Sequence, residues 1–146
     1  MTPELATVLR LLEGDGARLV NVGHGRSPAA VRAARAFQEA WTGEIGAVVS
    51  WPVQAASWLR PATRLAAGAP DAWVIADTAA GWAGPGRRLA ATGTWRPTAT
   101  IAFASLADPG LPALAGRPAT DGLRGATADG GVWIVDDGAL THLTVR

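Results

Sequence analysis

Apolar residues along the chain fall into two alternating rhythms. Leu5, Val8, Leu9 and Leu12 recur at helical spacing. Thr2 and Pro3 stand ahead of them as an N-cap and first-turn pair, so the chain opens on a helix that Gly14 to Gly16 end. Residues 18–22 read as a short buried strand. Ser27 and Pro28 repeat the cap-and-proline start, and a helix over 28–41 is expected to bury Val31, Ala34, Phe37 and Trp41, with Arg32, Arg35 and Glu39 turned elsewhere. The rhythm then recurs. A strand over 46–50 precedes a helix over 53–67, which Pro61 should bend or split. A strand over 72–76 precedes a helix ending near Ala91, in which Gly84, Pro85 and Gly86 are expected to make a break.

The last third is less regular. A turn at 95–97 leads into a fourth strand over 99–104, and a short helical piece follows over 109–115. Beyond a glycine-rich stretch, apolar runs at 132–135 and 139–145 flank Asp136, Asp137 and Gly138, a strong hairpin signal. Three strand–helix alternations imply an α/β fold. The expected architecture is a doubly wound parallel sheet, Rossmann-like or flavodoxin-like and three-layered, with a C-terminal β-hairpin. No break in composition divides residues 1–146, which therefore read as a single α/β domain.

Composition narrows the chemistry mainly by what is missing. The chain has no Cys, so it offers no disulfide, thiol nucleophile or cysteine metal site. It also has no Lys: all 13 basic residues are Arg, which removes a P-loop lysine and a Schiff base. Those Arg residues are scattered and the net charge is only +1, which argues against a nucleic-acid surface. The two histidines, His24 and His142, are far apart in sequence, so a zinc site is not expected, and no other cofactor is indicated. No run of about 20 apolar residues suggests a membrane span. The first residues lack the basic start and apolar stretch of a signal peptide, so the chain as it stands reads as cytoplasmic.

In an open α/β sheet, ligands bind outside the carboxyl ends of the strands, where the strand order reverses. That rule selects His24, Arg26 and Ser27 after the first strand, Ser50 and Trp51 after the second, Asp77 and Thr78 after the third, and Ser105 and Asp108 after the fourth. Helix N-termini at this rim suit a carboxylate or phosphate, Asp77 suits an ammonium group, and Trp51 offers a stacking face. Each position also has a plainer role. Ser27, Asp77 and Thr78 are good helix caps, Trp51 is a good core residue, and His24 is a loop histidine with no acid beside it. The turn GHGRSP is neither GxSxG nor GxGxxG. No residue set demands catalysis.

Several segments, in order, resemble the second lobe of the type I periplasmic binding proteins, the branched-chain amino-acid receptor group of ABC transporters. SPAAVRAARAFQEAWTGEIGAVVSWP is similar to that lobe's first helix and the strand closed by an aromatic-Pro pair. ASWLRPATRLAAGAPDAWVIADTAAGWAGPGRRLA is similar to the next helix, the Pro-Asp strand entry and the small-residue helix after it. IAFASLADPGLPALAGRPATDGLRGAT resembles the passage from one strand to another, and VWIVDDGAL the late strand with its Asp-Gly turn. The likeness runs from about residue 18 to 140.

The resemblance implies a ligand held between two lobes by strand-end loops, which here contain His24, Arg26, Ser27, Trp51, Asp77, Thr78 and Ser105. The first lobe, the signal sequence and the lipidated Cys of that family have no counterpart in the chain. It therefore reads either as a fragment of an exported, extracytoplasmic protein or as a free-standing relative that forms a homodimer or takes its second lobe from another chain. GHGRSPAAVRAARAF also resembles the Gly-Arg-Ser turn and helix of sugar isomerase (SIS) domains, in which Arg26 and Ser27 would hold an anion. The hydroxyl-rich loop of those domains is reduced here to Thr78. The reading is a non-catalytic domain for an amino-acid-like or small polar acid ligand. A phosphosugar-binding domain or isomerase is the first alternative. A protein-interaction module, with Trp82 or Trp95 at an interface, is the second.

Overall fold

The computed structural model describes residues 1–143. One sheet of seven strands organises it, in the order β2-β1-β3-β4-β5-β6-β7. The strands are β1 (Leu19–His24), β2 (Glu44–Ser50), β3 (Ala72–Ala76), β4 (Thr100–Ala102), β5 (Arg124–Ala126), β6 (Val132–Asp136) and β7 (Ala139–Leu143). The first five run parallel and the last two antiparallel. The helices are α1 (Pro3–Gly14), α2 (Pro28–Ala40), α3 (Leu59–Ala66), α4 (Ala79–Ala90), α5 (Leu111–Ala115) and α6 (Arg117–Thr120).

The parallel order 2-1-3-4-5 is a common doubly wound arrangement, and it reverses direction between β1 and β3. Helices α1 and α2 cover one face. Leu5, Val8, Leu12 and Phe37 pack there on Val20, Val22, Val74 and Ile101. Helices α3 to α6 cover the other face, whose core holds Trp51, Trp73, Trp82, Trp95 and Trp133. Trp82 is fully buried and Trp95 is nearly so, which removes both from the exposed interface considered above.

The caps form as the sequence predicts. The Thr2 hydroxyl accepts the Leu5 N–H at 3.1 Å, and the Ser27 hydroxyl accepts the Ala30 N–H at 3.1 Å. Helix α2 buries Ala30, Ala34 and Phe37 and leaves Val31 only half-buried. Trp41 falls just past its end, stacked on Phe37 at 5.7 Å.

Three expectations are corrected. The helix expected over 53–67 begins only at Leu59. Pro61 inside a longer helix would clash with the preceding turn. In the observed helix it sits in the first turn, where its missing N–H has no partner to lose. Helix α4 runs unbroken through Pro85, because Trp82, Ala83, Pro85, Gly86 and Leu89 are buried and tertiary packing outweighs one absent backbone bond. The fourth strand is only Thr100–Ala102, with 3₁₀ turns at Pro97–Ala99 and Ala104–Leu106 on either side.

The glycine-rich stretch contains α6 and β5, the latter being the further strand that the family resemblance implies there. The hairpin forms around Asp137 and Gly138, both at positive φ (50° and 75°), as a two-residue type I′ turn requires. Its second strand is described to Leu143. The expected continuation through Val145 lies outside the described residues.

One buried amide holds the sheet's first edge. Asn21 on β1 is 1% exposed, and it stands where Gly46 and Ala47 bulge from β2. Its Oδ1 accepts the Ala47 N–H at 2.9 Å, and its Nδ2 donates to the Leu65 and Ala67 carbonyls, each at 2.9 Å. One side chain therefore satisfies the bulge and the end of α3, as buried backbone groups require.

Candidate functional site

The loops that follow β1, β2, β3 and β4 share one rim, because these strands are parallel neighbours. The structure brings eight of the nine predicted residues to that rim and sorts them by depth, while Asp108 is exposed further along and accepts the Gly110 N–H at 2.7 Å. Arg26, Ser27, Thr78 and Ser105 are exposed, and His24 and Ser50 are half-buried. Trp51 and Asp77 lie beneath them, 1% and 7% exposed.

The exposed set is linked across loops. Arg26 Nε donates to Ser50 Oγ at 3.2 Å, tying the β1 loop to the end of β2. The Thr78 hydroxyl accepts the Gly81 N–H at 3.2 Å and caps α4, as Ser27 caps α2. Two helix starts therefore point first-turn N–H groups at this rim. His24 Nδ1 lies 2.6 Å from the Gly25 carbonyl. A carbonyl can only accept, so Nδ1 carries a proton and donates.

Below this surface the Trp51 indole N–H donates to Asp77 Oδ2 at 2.7 Å, and the Thr78 N–H donates to Asp77 Oδ1 at 2.8 Å. The Ser105 hydroxyl donates to the Asp77 carbonyl at 2.9 Å. The Trp51 ring packs on Trp82 with centroids 5.9 Å apart, and so offers no open face for stacking a ligand. Asp77 precedes the cap residue of α4, with both carboxylate oxygens engaged inside the protein.

The rim extends further than the sequence suggested. Because β5 is parallel to β4, the turn after it opens on the same side. A hollow of about 580 Å³ lies there, lined by residues 127–131 with His142 and Leu143. Within it Asp129 accepts hydrogen bonds from the Thr127 hydroxyl and the Gly131 N–H. Those bonds, the Thr127 one foremost, hold its carboxyl below the usual range. The run Asp-Gly-Gly at 129–131 marks a turn, but β5 is too short for periodicity to place the turn beside a site. Glu4 was also missed: from α1 its carboxylate accepts the Ala104 N–H at 2.7 Å, fixing the turn that carries Ser105.

Among the described residues no cluster of three or more His, Asp or Glu stands placed to hold a metal ion. No helix among them is long and apolar enough to cross a membrane.

No family model and no curated protein matches the chain. Solved structures do. A substrate-binding periplasmic protein from Ralstonia solanacearum matches at TM-score 0.70 and 22% identity, over 86% of this chain and 36% of that one. The branched-chain amino acid transporter substrate-binding protein LivJ from Streptococcus pneumoniae, solved with isoleucine, matches at TM-score 0.72 and 15% identity, over 84% and 35%. The leucine-binding protein LivK from Thermotoga maritima matches at TM-score 0.80 and 12% identity, over 96% and 63%. The chain thus spans about a third of the length of the first two. These identities speak to architecture, and the architecture agrees with the order of elements read from the sequence: the chain has the fold of one lobe of the type I periplasmic binding proteins.

Proposed function

We propose that this chain is the ligand-binding lobe of a substrate-binding protein for a small polar molecule of the amino-acid class, and that it is not an enzyme. One observation carries the reading. The loops after β1 and β3 flank the place where strand order reverses, and together with those after β2 and β4 they present Arg26, Ser27, Ser50, Thr78 and Ser105 with two helix starts. The ligand's carboxylate takes the helix N–H groups and hydroxyls. Asp77 and Trp51 act from below, with the negative charge of Asp77 favouring an ammonium group above it. His24 adds its half-buried ring at the end of β1.

The rim is open, so the opposing half of the cleft comes from a second lobe or a second copy of the chain. Similar proteins named as binding isoleucine or leucine support the ligand class, and one named as periplasmic supports an extracytoplasmic setting.

Calorimetric titration with leucine, isoleucine, other amino acids and small organic acids tests this. Saturable heat with at least one amino acid is expected. A folded protein that binds none of them overturns the reading. Replacing Arg26 by Ala separates the phosphosugar alternative, in which a charge-assisted anion contact worth about 1.5–3 kcal/mol would be lost. An amino acid held by backbone N–H groups should lose less.

A further inference from the structure

Asp77 meets each of the loops that follow β1, β2, β3 and β4. Its carboxylate accepts Trp51 from the β2 loop and the Thr78 N–H at the start of α4, and its carbonyl accepts Ser105 from beyond β4. On the β1 side the contact is steric: a Cβ on Gly25 would stand 2.5 Å from Oδ1. Gly81, in the first turn of α4, is bare for the same reason, since a Cβ there would overlap Oδ2. The ion pairs among the described residues join Arg117 to Asp121 and Asp137, and Arg124 to Asp15, and Asp77 takes part in none of them. A buried carboxylate held only by neutral donors makes strong, directional bonds in a low-dielectric setting.

We infer that Asp77 is a positioning residue. It fixes the four loops in one arrangement before a ligand arrives, so that binding need not order them. The inference rests on reading this rim as the ligand face, and it assigns Asp77 work that no ligand contact would explain. Its two oxygens accept from two different donors. An amide in the same place can accept at only one of those positions and sets its own NH₂ against the donor at the other. Asp77→Asn, though isosteric, must therefore break one of the two bonds.

Nitrogen-15 NMR reads this without a ligand. The chain has seven Trp residues, and Trp51→Phe identifies the Trp51 indole signal by its loss. The wild-type Trp51 indole proton is expected downfield and slow to exchange. In Asp77→Asn it should move upfield, and the amides of Gly25, Thr78 and Ser105 should move with it, while those of Leu19 and Asp71 stay in place. Trp51→Phe should displace the same rim amides from the other side. An unmoved indole, or changes confined to residues next to position 77, overturns the inference. If Asp77→Asn does not fold, Trp51→Phe and Ser105→Ala carry the same test through the amides of the loops they do not belong to. With leucine as the probe, Asp77→Asn should bind about tenfold more weakly than wild type at unchanged stoichiometry, and equal affinity counts against the inference. A wild type that binds no leucine but shows the expected amide pattern removes leucine as the ligand and leaves the positioning role standing.

Discussion

The two ends of strand β3 carry the same side chain in opposite circumstances. At the amino end, Asp71 is exposed, and its Oδ2 accepts the N–H groups of Arg18 and Leu19, each at 2.9 Å. At the carboxyl end, Asp77 is buried and ties together the loops of the rim. Asp71 staples the start of β1 to the start of β3 in water, where alternative partners are plentiful and the net value of a bond is small. Asp77 works beneath the surface, where the buried Trp51 indole N–H that it satisfies would otherwise be left orphaned. The same chemistry is an ordinary seam at one end of a five-residue strand and the meeting point of the rim loops at the other.

Breaking the carboxyl end should cost far more than breaking the amino end. The largest effect is expected from Trp51→Ala, which empties a fully buried ring site and strips Asp77 of its indole donor. Chemical denaturation should show a loss of ~3–5 kcal/mol. A loss below 1 kcal/mol would mean that the ring is not packed as described. Gly25→Ala comes next. Its methyl group would be forced against the Asp77 carboxylate, and overpacking of this kind costs about 1–3 kcal/mol. Gly14, near the amino end, has nothing within 4 Å of an added Cβ. Gly14→Ala is therefore the matched control and should leave the denaturation midpoint close to wild type.

The smallest effect belongs to Asp71→Asn, and it is a matter of pH. Backbone hydrogen bonds from Leu19 and Arg18 hold the Asp71 carboxyl below its ordinary value of 3.8. A lowered folded value means that its contribution is present above the unfolded value and is lost as pH falls through the folded one. Wild type should therefore exceed Asp71→Asn slightly at neutral pH, and the gap should close on acidification below pH 3.8. Thermal melts of the two proteins across that range would measure it. A gap that widens in acid would contradict the assignment.

The elements that carry this contrast were legible in the sequence, but the contrast itself was not. The alternation of apolar runs placed the first three strands and the two capped helices, because spacing and caps are local properties. The rule that ligands gather at strand carboxyl ends picks out the rim residues from the sequence. What it could not supply was depth. Trp51 and Thr78 both lie within two residues of a strand's end, yet one is enclosed and the other exposed. Burial depends on what packs from elsewhere, here Trp82 from α4 against Trp51. The start of α3 was misplaced because the proline rule forbids an arrangement without choosing among those that remain. Strand β5 escaped periodicity because three residues carry no period.

The sequence by itself determined the order of the first four strands and the helices between them, the caps of α1 and α2, the hairpin and the side of the sheet on which its loops gather. These follow from local torsions, hydrogen bonds along the chain and the handedness of strand–helix–strand crossings. Tertiary structure alone decided that Asp77 faces inward, that Gly25 and Gly81 stand bare around it, and that Trp51 serves as its donor rather than as a stacking surface. Those outcomes depend on contacts between segments far apart in the chain, where the cost of burying a charge is offset only by the particular donors that the fold brings to it.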